Sequence, residues 1–406
     1  MAVGLNIPDN LLPIAGIRLG TAAAGIKYPD RQDLLLIEIS EGSHSAAVFT
    51  QNAFCAAPVQ VARANITSAA TRYLLVNSGN ANAGLGAEGI TCAKASCDTV
   101  AKLAGCDAKA VLPFSTGVIG ETFPVERLEA AIPDAIASLK EDAWLAAAEA
   151  IMTTDTIAKG VSERCVIDGK TITITGIVKG AGMIRPDMAT LLTYIGTDAN
   201  VAPEYLQACL KKVVGVSFNR ITVDGDTSTN DSCVLMATGA ANNSLLDGKD
   251  KAASESFEAA LEKVFIYLAQ AAIRDAEGVT KLLTIDVESG ADESECNDVA
   301  YTIAHSPLVK TALFAADPNW GRILAAIGRA GVADLNINAL EIYLDDVCIV
   351  RSGARANDYT EEAGQHVMDK DEITLTVKLG RGSASTRVWT CDLSYDYVKI
   401  NAEYRS

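Results

Sequence analysis

The sequence predicts a layered α/β protein, and three features point that way. Short β-rich runs and long amphipathic helical runs are interleaved along the whole chain. The chain has 406 residues, 49% of them hydrophobic, which is ample for a large core. It contains no low-complexity linker and no short internal repeat of the kind that builds an array.

The elements can be read off in order. The first eighty residues hold the runs "DLLLIEIS", "SAAVFT" and "RYLLVNSG", divided by turns. "GITCAKASCDTVAKLAG" and "VERLEAAIPDAIASLKEDAWLAAAEAIM" carry helical spacing and Ala-rich propensity. "KTITITGIVKG" alternates as a strand. "ATLLTYI" reads as a buried strand entered through a turn bearing Gly180, Gly182 and Pro186. "APEYLQACLKKVVGVSF" and "SESFEAALEKVFIYLAQAAIRDAEG" are amphipathic helices, and "KLLTIDVES", "ALEIYLDDVCIV" and "EITLTVKLG" are strands.

Composition narrows the function. A formal charge of −17 argues against nucleic acid, which needs clustered Lys and Arg. No window approaches the ~18 apolar residues of a membrane span. The N-terminus lacks a basic start followed by an apolar run, so a cytoplasmic protein is expected. The ten cysteines are scattered, with no CxxC pair and no Cys/His cluster at zinc spacing, which predicts reduced thiols and no metal. The three histidines, His44, His305 and His366, give a histidine-based triad few candidates.

Polar clusters that strands and helices do not need are the candidate chemistry. They are "NSGNANAG" with Asn77, Asn80 and Asn82, "PFSTGVIGE" with Ser115, Thr116 and Gly117, and "MTTDT" with Thr153 to Thr156. "VDGDTSTNDS" runs from Asp224 to Ser232, "DAEGVTK" places Glu277 at the end of a long helix, and "ADPNWGR" holds Asp317, Asn319, Trp320 and Arg322. Each could equally be a cap or turn made by side chains bonding their own backbone. "VDGDTSTNDS" could also be a calcium loop, but it lacks the twelfth-position Glu of an EF-hand.

Thr190 stands where a kinked turn enters an apolar strand. A Thr hydroxyl is a poor nucleophile without a base. If the chain is cut before it, its own α-amine, with a reference pKa of about 8, can serve. A strained turn and the small Ala189 favour attack of that hydroxyl on its own peptide carbonyl. A plain strand-entry turn is the alternative.

"KGAGMIRPDMATLLTYIGTDA" resembles the signature of the ornithine acetyltransferase family of arginine biosynthesis. So do "VFTQNAFCAAPV", "VNSGNANAG", "STGVIGE", "IMTTDT", "DGDTSTND", "DAEGVTK", "ADPNWGR" and the terminal "YVKINAEYRS", all in family order over the full length. Arg185 and Leu191 depart from what relatives often carry. The resemblance implies an α+β layered sandwich of the self-processing, N-terminal-nucleophile type, similar to β-aminopeptidases, which use serine at the cut. It implies self-cleavage between Ala189 and Thr190, giving an α chain, 1–189, and a β chain, 190–406, that together form one catalytic unit. Thr190 would be the nucleophile, and Thr116 and Gly117 the oxyanion hole. Thr153, Lys179, Thr190, Glu277, Asn401 and Ser406 would bind substrate. The implied reaction moves acetyl from N2-acetylornithine to glutamate through an acetyl-Thr enzyme, giving ornithine and N-acetylglutamate. No cofactor is implied, and whether acetyl-CoA is a second donor stays open. Two α and two β chains are expected to assemble, with the tail completing a neighbouring subunit's site. A self-processing aminopeptidase or amidohydrolase, or a non-catalytic binding protein using "DGDTSTND", are the other readings.

Overall fold

The computed structural model describes residues 2–185 and 191–404. Two sheets lie face to face. The first has the order β1 (Ile17–Ala22), β2 (Leu34–Ile39), β4 (Tyr73–Asn80), β5 (Val111–Val118). The second has the order β3 (His44–Phe49), β9 (Ser232–Ala237), β8 (Leu192–Thr197), β7 (Lys170–Lys179), β6 (Lys159–Ile167). Strand β2 shows why they stack. Leu35, Ile37 and Ile39 face the second sheet, meeting Ile177, Leu192, Tyr194, Val234 and Met236. Leu34 and Leu36, on the alternate side, pack under helices α2 (Gly86–Ala104) and α3 (Val125–Ala137). A strand apolar on both faces is what a sheet covered on both sides requires. Helix α1 (Ala57–Ser68) lies beside α2 and β5, and α4 (Trp144–Ala150) wedges Trp144 between the sheets.

The outer face of the second sheet is covered by α5 (Pro203–Val216) and α6 (Lys251–Arg274), through Leu206, Leu210, Phe257, Leu261, Val264 and Leu268. The layers are therefore helix, sheet, sheet, helix, the predicted sandwich. The second sheet draws β3, β6 and β7 from before residues 186–190 and β8 and β9 from after them. Leu192 pairs with Lys179, so the expected cut falls between adjacent antiparallel strands.

A third sheet, ordered β13 (Ala354–Arg355), β12 (Val347–Arg351), β11 (Glu341–Leu344), β14 (Glu372–Lys378), β10 (Leu282–Gly290), β15 (Ala384–Cys391), has its own core. Around it lie α7 (Glu293–Ala304), α8 (Pro307–Phe314), α9 (Trp320–Gly328) and α10 (Glu361–Met368). Helix α11 (Tyr395–Ala402) returns to the sandwich.

Two predicted elements divide. "VERLEAAIPDAIASLKEDAWLAAAEAIM" is two helices, because Lys140 between them pairs with Leu19 of β1. "ALEIYLDDVCIV" is a hairpin, β11 to β12, turning at Asp345 with φ +46, a left-handed conformation that Asp tolerates better than most residues. The ten cysteines are free, and six are buried. Among the described residues, no helix is long and apolar enough to cross a membrane.

His305, at the end of α7, stacks on Tyr301 and lies 3.0 Å from Thr222 Oγ1, which also donates to the Ile184 carbonyl. The single hydroxyl proton is thereby used, so the His305 Nε2–H donates to Thr222. Burial, then the charges of Arg185, Lys310 and Arg329, push the imidazole pKa down from 6.5 to about 4. The unfolded chain binds a proton there that the folded chain refuses, so stability should be intact above pH 6.5 and fall as pH drops towards 4. His305→Gln should show a shallower loss of melting temperature between about pH 7 and 4.5 than the wild type.

Candidate active site

A cavity of about 260 Å³ opens between the ends of the two stacked sheets. Strand β5 ends on it with Thr116 and Gly117. Strand β7 ends on it with Lys179, and the loop after α4 adds Thr153. The loop after α6 brings Glu277, the loop into β9 brings Ser228 to Asp231, and α11 brings Asn401. Of the residues expected at the site, Thr116, Gly117, Thr153, Lys179, Glu277 and Asn401 all line this one cavity. Ala189, Thr190 and Ser406 lie outside the described residues. The described residue that follows Thr190, Leu191, lines the cavity with Leu192.

The local geometry is specific. Gly117 has φ +133, and a Cβ there would lie 2.2 Å from the Gly79 carbonyl carbon on the neighbouring strand, so only glycine fits. Lys179 Nζ donates to Thr116 Oγ1 at 3.2 Å. Burial and the charge of Lys159 lower the Lys179 pKa, while Asp155, Asp231 and Glu277 raise it, and burial prevails. Glu277 does not sit in α6, which ends at Arg274. Its N–H donates to the Ala181 carbonyl at 2.8 Å, and this brings its carboxylate across Gly182, where a Cβ would lie 2.5 Å from it.

The tail closes over its own chain. The Ser394 side chain caps α11 and donates to the Gly278 carbonyl at 2.6 Å, which sets the helix beside Glu277. Asn401 Nδ2 then donates to Glu277 Oε2 at 2.7 Å, and Lys27 Nζ holds the Tyr404 carbonyl at 3.2 Å. Within the single chain, Asn401 therefore sits at this chain's own cavity, beside Glu277. Tyr404 also separates the cavity from a second one, about 220 Å³, bordered by Lys27 and Arg31.

A buried ion triad frames the site. Lys159 Nζ lies 2.6 Å from Asp155 Oδ1 and 2.6 Å from Asp275 Oδ2, with all three side chains essentially inaccessible. Burial opposes ionisation of Asp155, but Lys159 and Lys179 hold its carboxyl well below the usual range. Lys159 is likewise held charged, against burial, by its two carboxylates. Asp155 also accepts from Thr153 N at 2.9 Å and Gly180 N at 2.7 Å, and Asp275 accepts from Thr156 N at 3.1 Å. Asp224 does similar work on the turn, accepting from Met183 N at 2.7 Å and Ile184 N at 3.0 Å, with Tyr397 OH at 3.2 Å.

The sequence pattern of the ArgJ family matches residues 18–406. The chain belongs to the ArgJ family. It is 58% identical over 402 residues to the arginine biosynthesis bifunctional protein ArgJ of Methylococcus capsulatus, covering 99% of this chain and 98% of that one. It is 53% identical over 406 residues to the protein of the same name from Pseudomonas syringae pv. tomato, covering both fully. Among solved structures, it resembles the arginine biosynthesis bifunctional protein ArgJ of Bacillus halodurans at 39% identity. That match covers 50% of this chain and 95% of the other, with a TM-score of 0.48.

Other candidates fall away from the ArgJ cavity. Asn319 of "ADPNWGR" caps α9 in the third-sheet lobe, accepting from Arg322 N. None of the three histidines lines the cavity. Sequence reasoning missed the roles of Lys159 and Asp275, and nothing in "IAKGVSERC" or "IRDAEG" marks either as buried. Lys159→Met should therefore destabilise the chain by about 3–5 kcal/mol, the usual cost of stranding buried charges, read as a lowered denaturant midpoint. A loss under about 1 kcal/mol would show that the carboxylates have other partners.

Proposed function

We propose that this ArgJ-family enzyme is an acyltransferase that moves the acetyl group of N2-acetylornithine to glutamate, in the cytoplasm, as a pair of cleaved units. The observation that carries the reading is one cavity holding a cation, Lys179, and an anion, Glu277, beside Thr116, Gly117 and the start of β8. N2-acetylornithine bears a carboxylate and a side-chain ammonium, which match Lys179 and Glu277 in sign. Its neutral acetamide is left for Thr116 and Gly117 at the end of β5.

The mechanism follows in two halves. Thr190 Oγ bonds to the acetyl carbon and the amide C–N bond breaks. The hydroxyl proton passes by way of the Thr190 α-amine to the leaving nitrogen, and ornithine departs. The glutamate amine then attacks the acetyl-Thr190 ester, its proton returns to Thr190 Oγ, and N-acetylglutamate leaves. In both halves the oxyanion is met by the Thr116 hydroxyl and the backbone N–H of Gly117, groups already rigid within β5. Lys179 keeps the Thr116 hydroxyl free to donate, since an ammonium gives a hydrogen bond to the oxygen and accepts none. Glutamate has no side-chain ammonium, and Asn401 keeps Glu277 partnered in that half. The adjoining cavity beside Lys27 and Arg31 supports acetyl-CoA as a second, larger donor.

Two experiments test this. Intact-mass measurement should find wild-type protein as chains 1–189 and 190–406 and Thr190→Ala as one whole chain. A cut elsewhere, or none, overturns the Thr190 assignment. Thr116→Ala should still be cut but should lose ~10²-fold or more in kcat with a small change in KM, as removal of one oxyanion donor does. An unchanged kcat would return Thr116 to a turn residue.

A further inference from the structure

Asp231 is a member of the cavity wall that the mechanism above leaves unused. It is only 4% exposed, and its Oδ2 has no hydrogen-bond partner among the described residues. Buried polar atoms are nearly always partnered, because a dry, unpaired acceptor costs about 1–3 kcal/mol. Burial drives the carboxyl well above its usual range, against the pull of Ser228 and Lys179, which favours its protonated form. The charged groups around it are Lys179 at the end of β7, with Asp155 and Glu277 around that lysine.

Its place in the sheet indicates what it serves. Strands β8 and β9 run parallel with Leu192 opposite Ser232, and Ser232 N donates to the Leu191 carbonyl at 2.9 Å. Asp231 thus immediately precedes the residue that grips Leu191, and Leu191 is bonded to Thr190. A carboxyl with an idle oxygen thus stands beside the entry of β8, two residues after the position proposed as the nucleophile.

We propose that Asp231 is the proton partner of the backbone nitrogen of Thr190, first in self-cleavage and then in acetyl transfer. The proposal rests on the reading of Thr190 as a nucleophile freed by cleavage. In the uncut chain Thr190 Oγ bonds to the Ala189 carbonyl carbon while the Ala189–Thr190 C–N bond breaks. The leaving nitrogen takes the Asp231 carboxyl proton, and the carboxylate recovers the proton that Oγ gave up. Water then hydrolyses the ester, giving the Ala189 carboxyl and the free Thr190 hydroxyl. In the cut enzyme the same carboxyl orients the new α-amine. As a carboxylate it stabilises the ammonium that forms when the amine takes the hydroxyl proton. The oxygen left idle in the uncut chain acquires its donor from the reaction itself.

The test compares wild type, Asp231→Asn and Asp231→Glu, each first shown to be folded by its melting curve. Intact mass is followed from the earliest time after expression, and kcat and KM are measured on the cut fraction with N2-acetylornithine and glutamate. Asp231→Asn should be cut at least about tenfold more slowly, and its cut fraction should lose ~10²-fold in kcat with KM within about threefold, the scale of a lost proton-transfer partner. Its acid limb in kcat/KM should move to lower pH, because the amine has lost an adjacent carboxylate. Asp231→Glu should recover part of both rates. Cleavage and kcat within about twofold of wild type in Asp231→Asn would overturn the proposal. So would equal losses in the Asn and Glu variants with an unmoved acid limb, which would leave Asp231 a packing residue. Wild type that stays whole would remove the Thr190 reading itself, whatever Asp231 does.

Discussion

The site depends on one buried ammonium. Lys159 opens β6, yet its side chain runs inward and ends between Asp155 and Asp275. Each carboxylate also accepts from nearby chain: Asp155 from the N–H groups of Thr153 and Gly180, Asp275 from the N–H and hydroxyl of Thr156. Three regions distant in sequence are thereby fixed to one another: the Thr153 loop with the start of β6 that follows it, the end of β7 and the end of α6. Those are the pieces that present Thr153, Lys179 and Glu277. Three charges buried together are a weak source of net stability, because desolvation offsets most of the attraction. What they supply is a single geometry, since any other arrangement leaves a charge dry and alone.

The sheet topology does the complementary task. β7 and β8 are antiparallel neighbours, and the expected cut lies in the chain that joins them. If that connection is severed, β8 remains bound on one side to β7 and on the other to β9. Cleavage there costs the sheet none of its described ladder. The core between the two sheets, with Leu192 and Tyr194 on one side and Leu35 and Leu74 on the other, is likewise continuous across the cut. A chain can break its own backbone at a strand entry only where the sheet does not need the bond.

Much of this was legible in the sequence, for reasons specific to each element. "DLLLIEIS" and "KTITITGIVKG" are apolar at both alternations or at period two, and burial against two layers leaves that mark on composition. Thr116, Gly117, Thr153, Lys179, Glu277 and Asn401 were reached by resemblance, and the structure gathers them in one cavity. Their bare chemistry would not have sufficed, since Ser, Thr and Asn in glycine-rich turns look the same whether they cap a helix or stabilise an oxyanion. Asn319 is such a case, and it is only a cap. Lys159 and Asp275 were illegible because a buried charge leaves no periodicity, and the triad closes only through a partner over a hundred residues away. The break between α3 and α4 was missed for a similar reason: Lys140 leaves the helix to pair with Leu19, a tertiary bond overriding strong local propensity.

The tail and the segment that follows β7 are tied through the same residues. Tyr397 of α11 reaches Asp224, which holds the N–H groups of Met183 and Ile184, while Asn401 of the same helix reaches Glu277. Glu277 in turn lies across Gly182, at the start of that segment. Helix α11 buries none of its own residues fully, so its position is set by these polar contacts and by the Ser394 anchor. A hydrogen bond between neutral partners contributes about 1 kcal/mol, and one to a carboxylate about twice that. Two carboxylates, Asp224 and Glu277, therefore decide where the helix sits and how that segment is presented. Both have a second contact, Asp224 with the backbone of Met183 and Ile184 and Glu277 with the wall of the cavity.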